Sequence, residues 1–502
     1  MKSFTQPALG AALLLALAPL AAAAGDALTI YSSAQPGAIQ PEQYRTGVPG
    51  REVPGYAVVR HLRELDLKPG RNTVRFSDVA ALIDPTTVSF ESLTDPKGTS
   101  VIEQNFQFDL VNTQKLLEKY IDREIEVDQV RGSGVESFRG TLLSTAGGMV
   151  LRRSDGGVEL LPYNASVRLP ELPGGLITRP TLVWDIASAR GGRQATRVSY
   201  QTGGITWWAD YNLAYADGKD ANSCRLDVGA WVSILNQSGA GYQDAKLKLV
   251  AGDVQRAAPP AYAAAALAAP RMALEQKAAG FEQKAFFEYH LYTLGRTTTL
   301  PDRSTKQIEL FPVARGVPCE KKLVYYGLAP GWRGAAASPL TDRNYGVQTN
   351  KKVDVYLSFR NSKENNLGMP LPGGRVRVSK RDDADGTLEF IGEDTIDHTP
   401  KDETVQIRLG SAFDVVGERR QVAFSVDTSR RVMTEQIEVK LRNHKDEPVT
   451  VEVKENLYRW VNWEIVERSQ AFRKLDARTV VFPMRVPAGG EQVLDYTVRY
   501  SW

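Results

Sequence analysis

Residues 63–76 read RELDLKPGRNTVRF, and this stretch decides the fold class. Leu65 and Leu67 alternate with charged residues, Pro69 and Gly70 supply a turn, and Val74 and Phe76 resume the alternation. A period of two with one apolar side is the pattern of a half-buried strand. The stretch is expected to form a hairpin with one buried and one wet face. Strand-like runs fill the rest of 27–107 around it.

Downstream the alternation gives way to a helical pattern. Leu116, Leu117, Tyr120 and Ile121 recur at helical spacing over 112–124, with Asn112 as the expected N-cap. Five short runs follow, EIEVDQV, FRGTLLS, GMVLRR, VELLP and ASVRLP, with glycine turns near Gly134, Gly147 and Gly157. One helix and five short strands suggest a small Sm-like or SH3-like barrel. The segment ELPGGLITRP at 171–180 reads as a linker. The runs TLVWDIA, ATRVSYQ, WWADYNLAY, DVGAWVSILN and DAKLKLVAG then have the look of a β-sandwich. Alanine and proline dominate the next stretch, which reads as an insertion in a long loop. From Lys351 onward regular strands suggest one Ig-like sandwich. In it Asp385-Gly386 is expected to make a two-residue hairpin turn, and RNHKDEP to separate two strands in the same way.

The expected organisation is therefore mostly β. It comprises a signal peptide at 1–24, an N-terminal β domain at 25–108 and a helix plus small barrel at 109–172. A β-sandwich at 173–350 carries the insertion at 256–283, and an Ig-like sandwich occupies 351–502.

The signal expectation rests on Lys2, the Ala/Leu run from Leu9 to Ala24, and small residues at Ala22 and Ala24 before Gly25. No Cys near Gly25 offers a lipid-anchor thiol, and no later segment has 18 consecutive apolar residues. The chain is thus expected to be exported and periplasmic, with secretion or outer-membrane association as alternatives, and without a transmembrane helix. Lys plus Arg number 62 against 59 for Asp plus Glu, a balance with no strong pull toward nucleic acid. Two cysteines, Cys224 and Cys319, suggest one disulfide in an oxidising compartment, against the alternative of two buried thiols.

Several long phrases resemble a known family. They are YQTGGITWWADY (200–211), LNQSGAGYQDAKLKLVAGDV (235–254), YHLYTL (289–294), NSKENNLGMPLPGGRVRVSK (361–380), DADGTLEFIGEDTIDHTPKDE (383–403), FDVVGERR (413–420) and LRNHKDEPVTVEVKE (441–455). DPTTVSFESL and EQNFQFDL match its upstream part. Together they resemble the family called domain of unknown function 4139. The resemblance implies an exported bacterial β-rich protein and carries over no catalytic residue.

No nucleophile elbow, Walker loop, H-E-x-x-H or C-x-x-C is present, so no catalytic, cofactor or metal residue is assigned. The four histidines, His61, His290, His398 and His444, are widely spaced. His398 and His444 each precede a Lys-Asp-Glu, which reads either as a paired polar site or as two solvated turns. Trp207 and Trp208 must point to opposite faces of a strand. One of them, with Asp210 and Tyr211, then either grips a sugar or peptide, or is covered by a neighbouring layer. The alternating Leu494, Tyr496, Val498, Tyr500 and Trp502 resemble a terminal outer-membrane barrel strand, but a sandwich strand explains them equally well.

These observations favour a non-enzymatic binding or scaffolding module of the cell envelope, with an envelope protein, peptide or glycan as partner. The rivals are a glycan-acting hydrolase with dispersed carboxylates, of which Glu393 and Asp394 are examples, and an outer-membrane-associated protein.

Overall fold

The computed structural model describes residues 25–31, 39, 53–77, 79–107, 111–131, 134–162, 165–171, 173, 176–252, 254, 281–286, 289–328, 338–347 and 350–502. The expected signal peptide and the insertion as far as residue 280 lie outside these. Among the described residues the protein is almost wholly β, with one α-helix, Thr113–Lys119. Two compact units form. Of the described residues, one takes those up to Leu28 and those within Val58–Thr202 and Tyr242–Lys246, and the other those within Thr29–Ala57, Gly203–Gly241 and Leu247–Trp502.

In the first unit, strands Tyr56–Leu67, Gly192–Thr202 and Ile83–Ser92 are successive neighbours in one sheet. Strands Gly70–Ser77, Thr181–Ser188 and Thr99–Gln107 make a second sheet. Thr181–Ser188 alternates buried Leu182, Trp184 and Ile186 with half-buried residues, as a period of two requires. Rings close the core between the sheets: Phe76 and Phe90 each stand 5.4 Å from Trp184, and His61 lies 5.6 Å from Phe76.

Two expectations are corrected here. Pro69 and Gly70 do turn the chain, and Gly70 takes φ +92°, but the flanking strands enter different sheets rather than pairing. The turn is a corner of a sandwich, because the inward face of each strand packs across the core. The boundary at 172/173 also fails to divide the fold. Thr181–Ser188 lies between Gly70–Ser77 and Thr99–Gln107, so the N-terminal sheet needs residues from beyond the linker.

Asn112 caps the helix as expected, its Oδ1 accepting from Lys115 N at 2.9 Å. Leu117 and Tyr120 then join Ile125, Val127, Leu142 and Leu151 in a small core. The five strands that follow form one antiparallel sheet, whose central member is Gly134–Ser144.

The second unit is built on a sheet of 13 strands. Ile205–Asp217 pairs antiparallel with Ser223–Asn236 and parallel with Gly374–Arg381. Ser304–Tyr326 pairs with Ser223–Asn236, Lys352–Arg360 and, in parallel, Val449–Asn456. The ladder therefore runs through the expected boundary at 350/351. Cys224 and Cys319 are direct cross-strand partners and form the disulfide. Asp385-Gly386 lies in a hairpin, but its loop is longer than two residues, since Arg381 pairs with Leu388. RNHKDEP is not a hairpin turn. Val432–Asn443 pairs with Thr404–Asp427 and Glu491–Ser501, while Val449–Asn456 pairs with Thr479–Val486. The core between these layers takes Leu494, Tyr496, Val498 and Tyr500, which accounts for the alternation of the last strand.

One device recurs three times in this unit. A buried asparagine at or just past a strand end donates through Nδ2 to a nearby loop carbonyl and to a proline carbonyl. Asn236 donates to Ala240 O (2.8 Å) and Pro301 O (3.0 Å). Asn361 donates to Met369 O (2.8 Å) and Pro400 O (3.0 Å). Asn443 donates to Glu447 O (2.8 Å) and Pro487 O (3.0 Å). Two residues after each proline the backbone turns left-handed, at Arg303 (φ 52°), Asp402 (φ 66°) and Gly489 (φ 59°).

Candidate functional site

Strand Ile205–Asp217 positions the aromatic residues singled out in the sequence. Alternation sends Trp207, Ala209 and Tyr211 to one face and Trp208 and Asp210 to the other, and all five are buried. Trp207 Nε1 donates to Val250 O at 3.2 Å, and its ring stands edge-on to Tyr292 at 6.2 Å. Tyr211 donates its hydroxyl to Pro372 O at 2.7 Å, and Tyr292 donates to Pro370 O at 2.9 Å. Burial pushes both phenols up out of the titratable range. These two tyrosines hold the Pro-Leu-Pro loop in place and do not face solvent.

Trp208 is covered as well, by Ile39, Val53 and Leu235. Of the two readings open for this pair, a gripping indole or a covered one, the structure takes the covered one for both: the sheet core holds Trp207, and Ile39, Val53 and Leu235 hold Trp208. Trp208 Nε1 donates to Asp210 Oδ2 at 2.7 Å, and Ser233 Oγ donates to the same oxygen at 3.1 Å. Gln307 Nε2 supports Ser233 Oγ at 3.1 Å.

The two histidine turns do not form one site. His398 is exposed, and its Nδ1 accepts from Gly373 N at 2.9 Å, which ties it to the loop gripped by Tyr211 and Tyr292. His290 is half-buried there; burial, and then the charge of His398, hold its imidazole below the usual histidine range. His444 is exposed on a different turn, where its N–H donates to Asp414 O at 2.7 Å. DHTPKDE carries the proline half of one asparagine clasp and RNHKDEP the asparagine half of another. Of the acids offered for the hydrolase reading, Glu393 faces Arg377 at 3.5 Å, and Asp394 Oδ2 accepts from Arg408 N at 2.7 Å.

Strand register assembles an open face beside Asp210. Asp210 pairs with Trp231 on one side and with Arg375 on the other. Trp231 is opposite Glu309, and Arg377 is opposite Glu393. Trp231 is 39% exposed. Asp210 Oδ1 is 3.6 Å from Arg375 Nε and 3.6 Å from Arg377 Nη1. Those separations are too long for hydrogen bonds, and both Asp210 Oδ1 and Arg375 Nε are buried without a hydrogen-bond partner.

Sequence reasoning missed Trp231, Arg375 and Arg377. The signal for Trp231 was present: in DVGAWVSILN, period two sets it opposite the apolar run Val228, Ala230, Val232 and Ile234. RVRV likewise sends both arginines to one face. What brings them to Trp231 is the parallel pairing of Ile205–Asp217 with Gly374–Arg381, between segments far apart in the chain.

Carboxylates also converge inside the second unit. Arg419 Nε donates to Glu455 Oε2 at 2.9 Å, Tyr496 donates to the same oxygen at 2.6 Å, and Arg459 Nη2 lies 3.0 Å from Glu435 Oε1. All four charged side chains are at most 1% exposed, which makes this a sealed structural network. Among the described residues no group of three or more His, Cys, Asp or Glu is placed to hold a metal, and no helix is long and apolar enough to cross a membrane. No family model, curated protein or solved structure matches the chain.

Proposed function

We propose that this chain is an exported cell-envelope protein of the family called domain of unknown function 4139, working as a non-enzymatic binding or scaffolding module. The observation that carries the reading is the open face beside Asp210. An exposed indole stands among charged side chains on a broad, fully laddered sheet. A rigid sheet with one aromatic anchor and a polar surround is the chemistry of recognition. The finer architecture is part of the same proposal: a small barrel of Sm or SH3 type after the helix, and Ig-like sandwiches beyond it. Export follows from the Ala/Leu run and the small residues before Gly25.

The test is a pull-down of the mature chain from an envelope fraction, followed by titration of what it captures and by an activity screen against peptidoglycan and exopolysaccharide. Saturable binding without turnover is expected. Reproducible turnover that one Asp or Glu substitution abolishes would end the reading.

A further inference from the structure

We infer that the face around Trp231 is a glycan site that takes a neutral pyranose ring against the indole. The inference names a ligand class for the binding module proposed above and rests on that reading. Trp231 lies in the interior of the sheet. Its strand, Ser223–Asn236, is laddered on both sides, to Ile205–Asp217 and to Ser304–Tyr326. No free backbone edge is offered, so an extended peptide cannot add itself as a strand here. What the face presents is side chains alone.

Those side chains suit a sugar. An indole exposed at 39% offers a flat apolar surface to the C–H face of a pyranose. Around it stand Asn212, Gln307, Glu309 and Arg377, each planar and each able to meet two adjacent hydroxyls at once. Gly229, opposite Asn212, is buried, and a Cβ on it would touch the exposed Val313 at 3.5 Å. Val313 therefore adds an apolar border to the face near the indole.

A second, independent observation points the same way. Asp210 is 6% exposed, yet its Oδ1 has no hydrogen-bond donor, and Arg375 Nε beside it has no acceptor. Buried polar atoms are normally satisfied. A hydroxyl both donates and accepts, so a single sugar hydroxyl can serve both. Arg375 keeps a quarter of its side chain in solvent, which lets the guanidinium rotate and admit it. Charge then selects within the class. The face carries Arg375 and Arg377 together with Asp210, Glu309 and Glu393, so the site is close to neutral and slightly acidic. A polyuronate chain is disfavoured there, and a neutral hexose or N-acetylhexosamine chain fits.

The experiment is calorimetric titration of the mature protein with cello-oligosaccharides and with N-acetylglucosamine oligomers, alongside oligouronates and an unstructured peptide. Binding of a neutral oligosaccharide is expected. Trp231→Ala should weaken it at least about tenfold, and Trp231→Phe should recover most of the loss. Gln307→Ala should weaken it less, and far-UV circular dichroism should show each variant folded, since both side chains are exposed. The inference falls if no neutral sugar binds, if Trp231→Ala leaves binding unchanged, or if oligouronates bind more tightly. An envelope protein captured through another surface, with no sugar binding, overturns the glycan site and leaves the module reading intact. Turnover of the sugar would keep the site and overturn the module reading.

Discussion

At Gly327 the chain has no room for a methyl group. A Cβ there would lie 2.0 Å from Glu455 Oε1 and 2.4 Å from Arg419 Cδ. Both neighbours belong to the sealed ion-pair network, so neither can yield without uncovering a charge. Gly327→Ala is expected to destabilise the protein by about 2–3 kcal/mol, read from the denaturant midpoint. A shift below about 0.5 kcal/mol would mean that the network is loosely held. Asp26 is a different kind of residue. Its carboxylate meets His61 Nδ1 at 2.8 Å and Arg63 Nη2 at 2.9 Å, and His61 Nε2 reaches the Tyr200 hydroxyl at 3.0 Å. Burial alone would raise the Asp26 carboxyl, but His61 and Arg63 more than offset it and hold it below the ordinary value of 3.8. A depressed carboxylate contributes stability that is present above its unfolded value and lost as pH falls through its folded one. Asp26→Asn should therefore cost stability at neutral pH, and the gap to the parent protein should close as pH drops below 3.8. Stability curves at several pH values check this, and a gap independent of pH would show that the carboxylate's charge plays no part.

The three asparagine clasps are predictions about elements. Each amide binds the loop after its own strand to a proline turn from another part of the chain. Asn361→Ala leaves two carbonyls without their donor in a position 0% exposed, at a cost of about 2–4 kcal/mol. Asn236→Ala and Asn443→Ala should cost similar amounts, because the contacts repeat to within the same tenth of an ångström. Asp in place of Asn should be no milder, since it removes the donor and points a carboxylate at two carbonyls. Thermal melts of the six variants decide it; tolerance of Ala at any of the three would mark that clasp as a solvated turn. The elements show what the sequence disclosed. Strand and helix type followed from periodicity, as at Leu117 and Tyr120 and at Leu494 to Tyr500, because local alternation reflects which side is buried, although the helix stops at Lys119 and leaves Ile121 beyond it and exposed. Pairing did not follow. KPG and RNHKDEP both turn the chain, but whether a turn closes a ladder or a sandwich corner depends on the partner across the core. The clasps escaped for the same reason: Pro-Asp-Arg, Pro-Lys-Asp and Pro-Ala-Gly share only proline and a left-handed third residue.

At the scale of the whole molecule, long-range closure is what the chain kept hidden. The candidate face needs Trp231 and Arg375 on either side of Asp210, and only strand order supplies that. The first unit needs Thr181–Ser188 from beyond a linker-like segment, so composition shifts misplaced the domain boundary. One long-range link was legible, because only two cysteines exist to form it. Cys224 and Cys319 are 95 residues apart, and most of the intervening chain lies in the second unit. Closing a loop of that length restricts the unfolded chain strongly, for a stabilisation of about 2–5 kcal/mol. In the folded state the backbone ladder already holds Cys224 opposite Cys319, so their strands stay paired without the bond. Cys224→Ser with Cys319→Ser should therefore leave the native circular dichroism unchanged and lower the denaturant midpoint. Hydrogen exchange should locate the loss. Amides of Ser223–Asn236 and Ser304–Tyr326 should exchange faster, while those of Gly70–Ser77 and Thr181–Ser188 keep their protection. Equal loss in both sets would mean that the two units unfold as one, as a chain that crosses between them at 28/29, 57/58, 202/203, 241/242 and 246/247 permits.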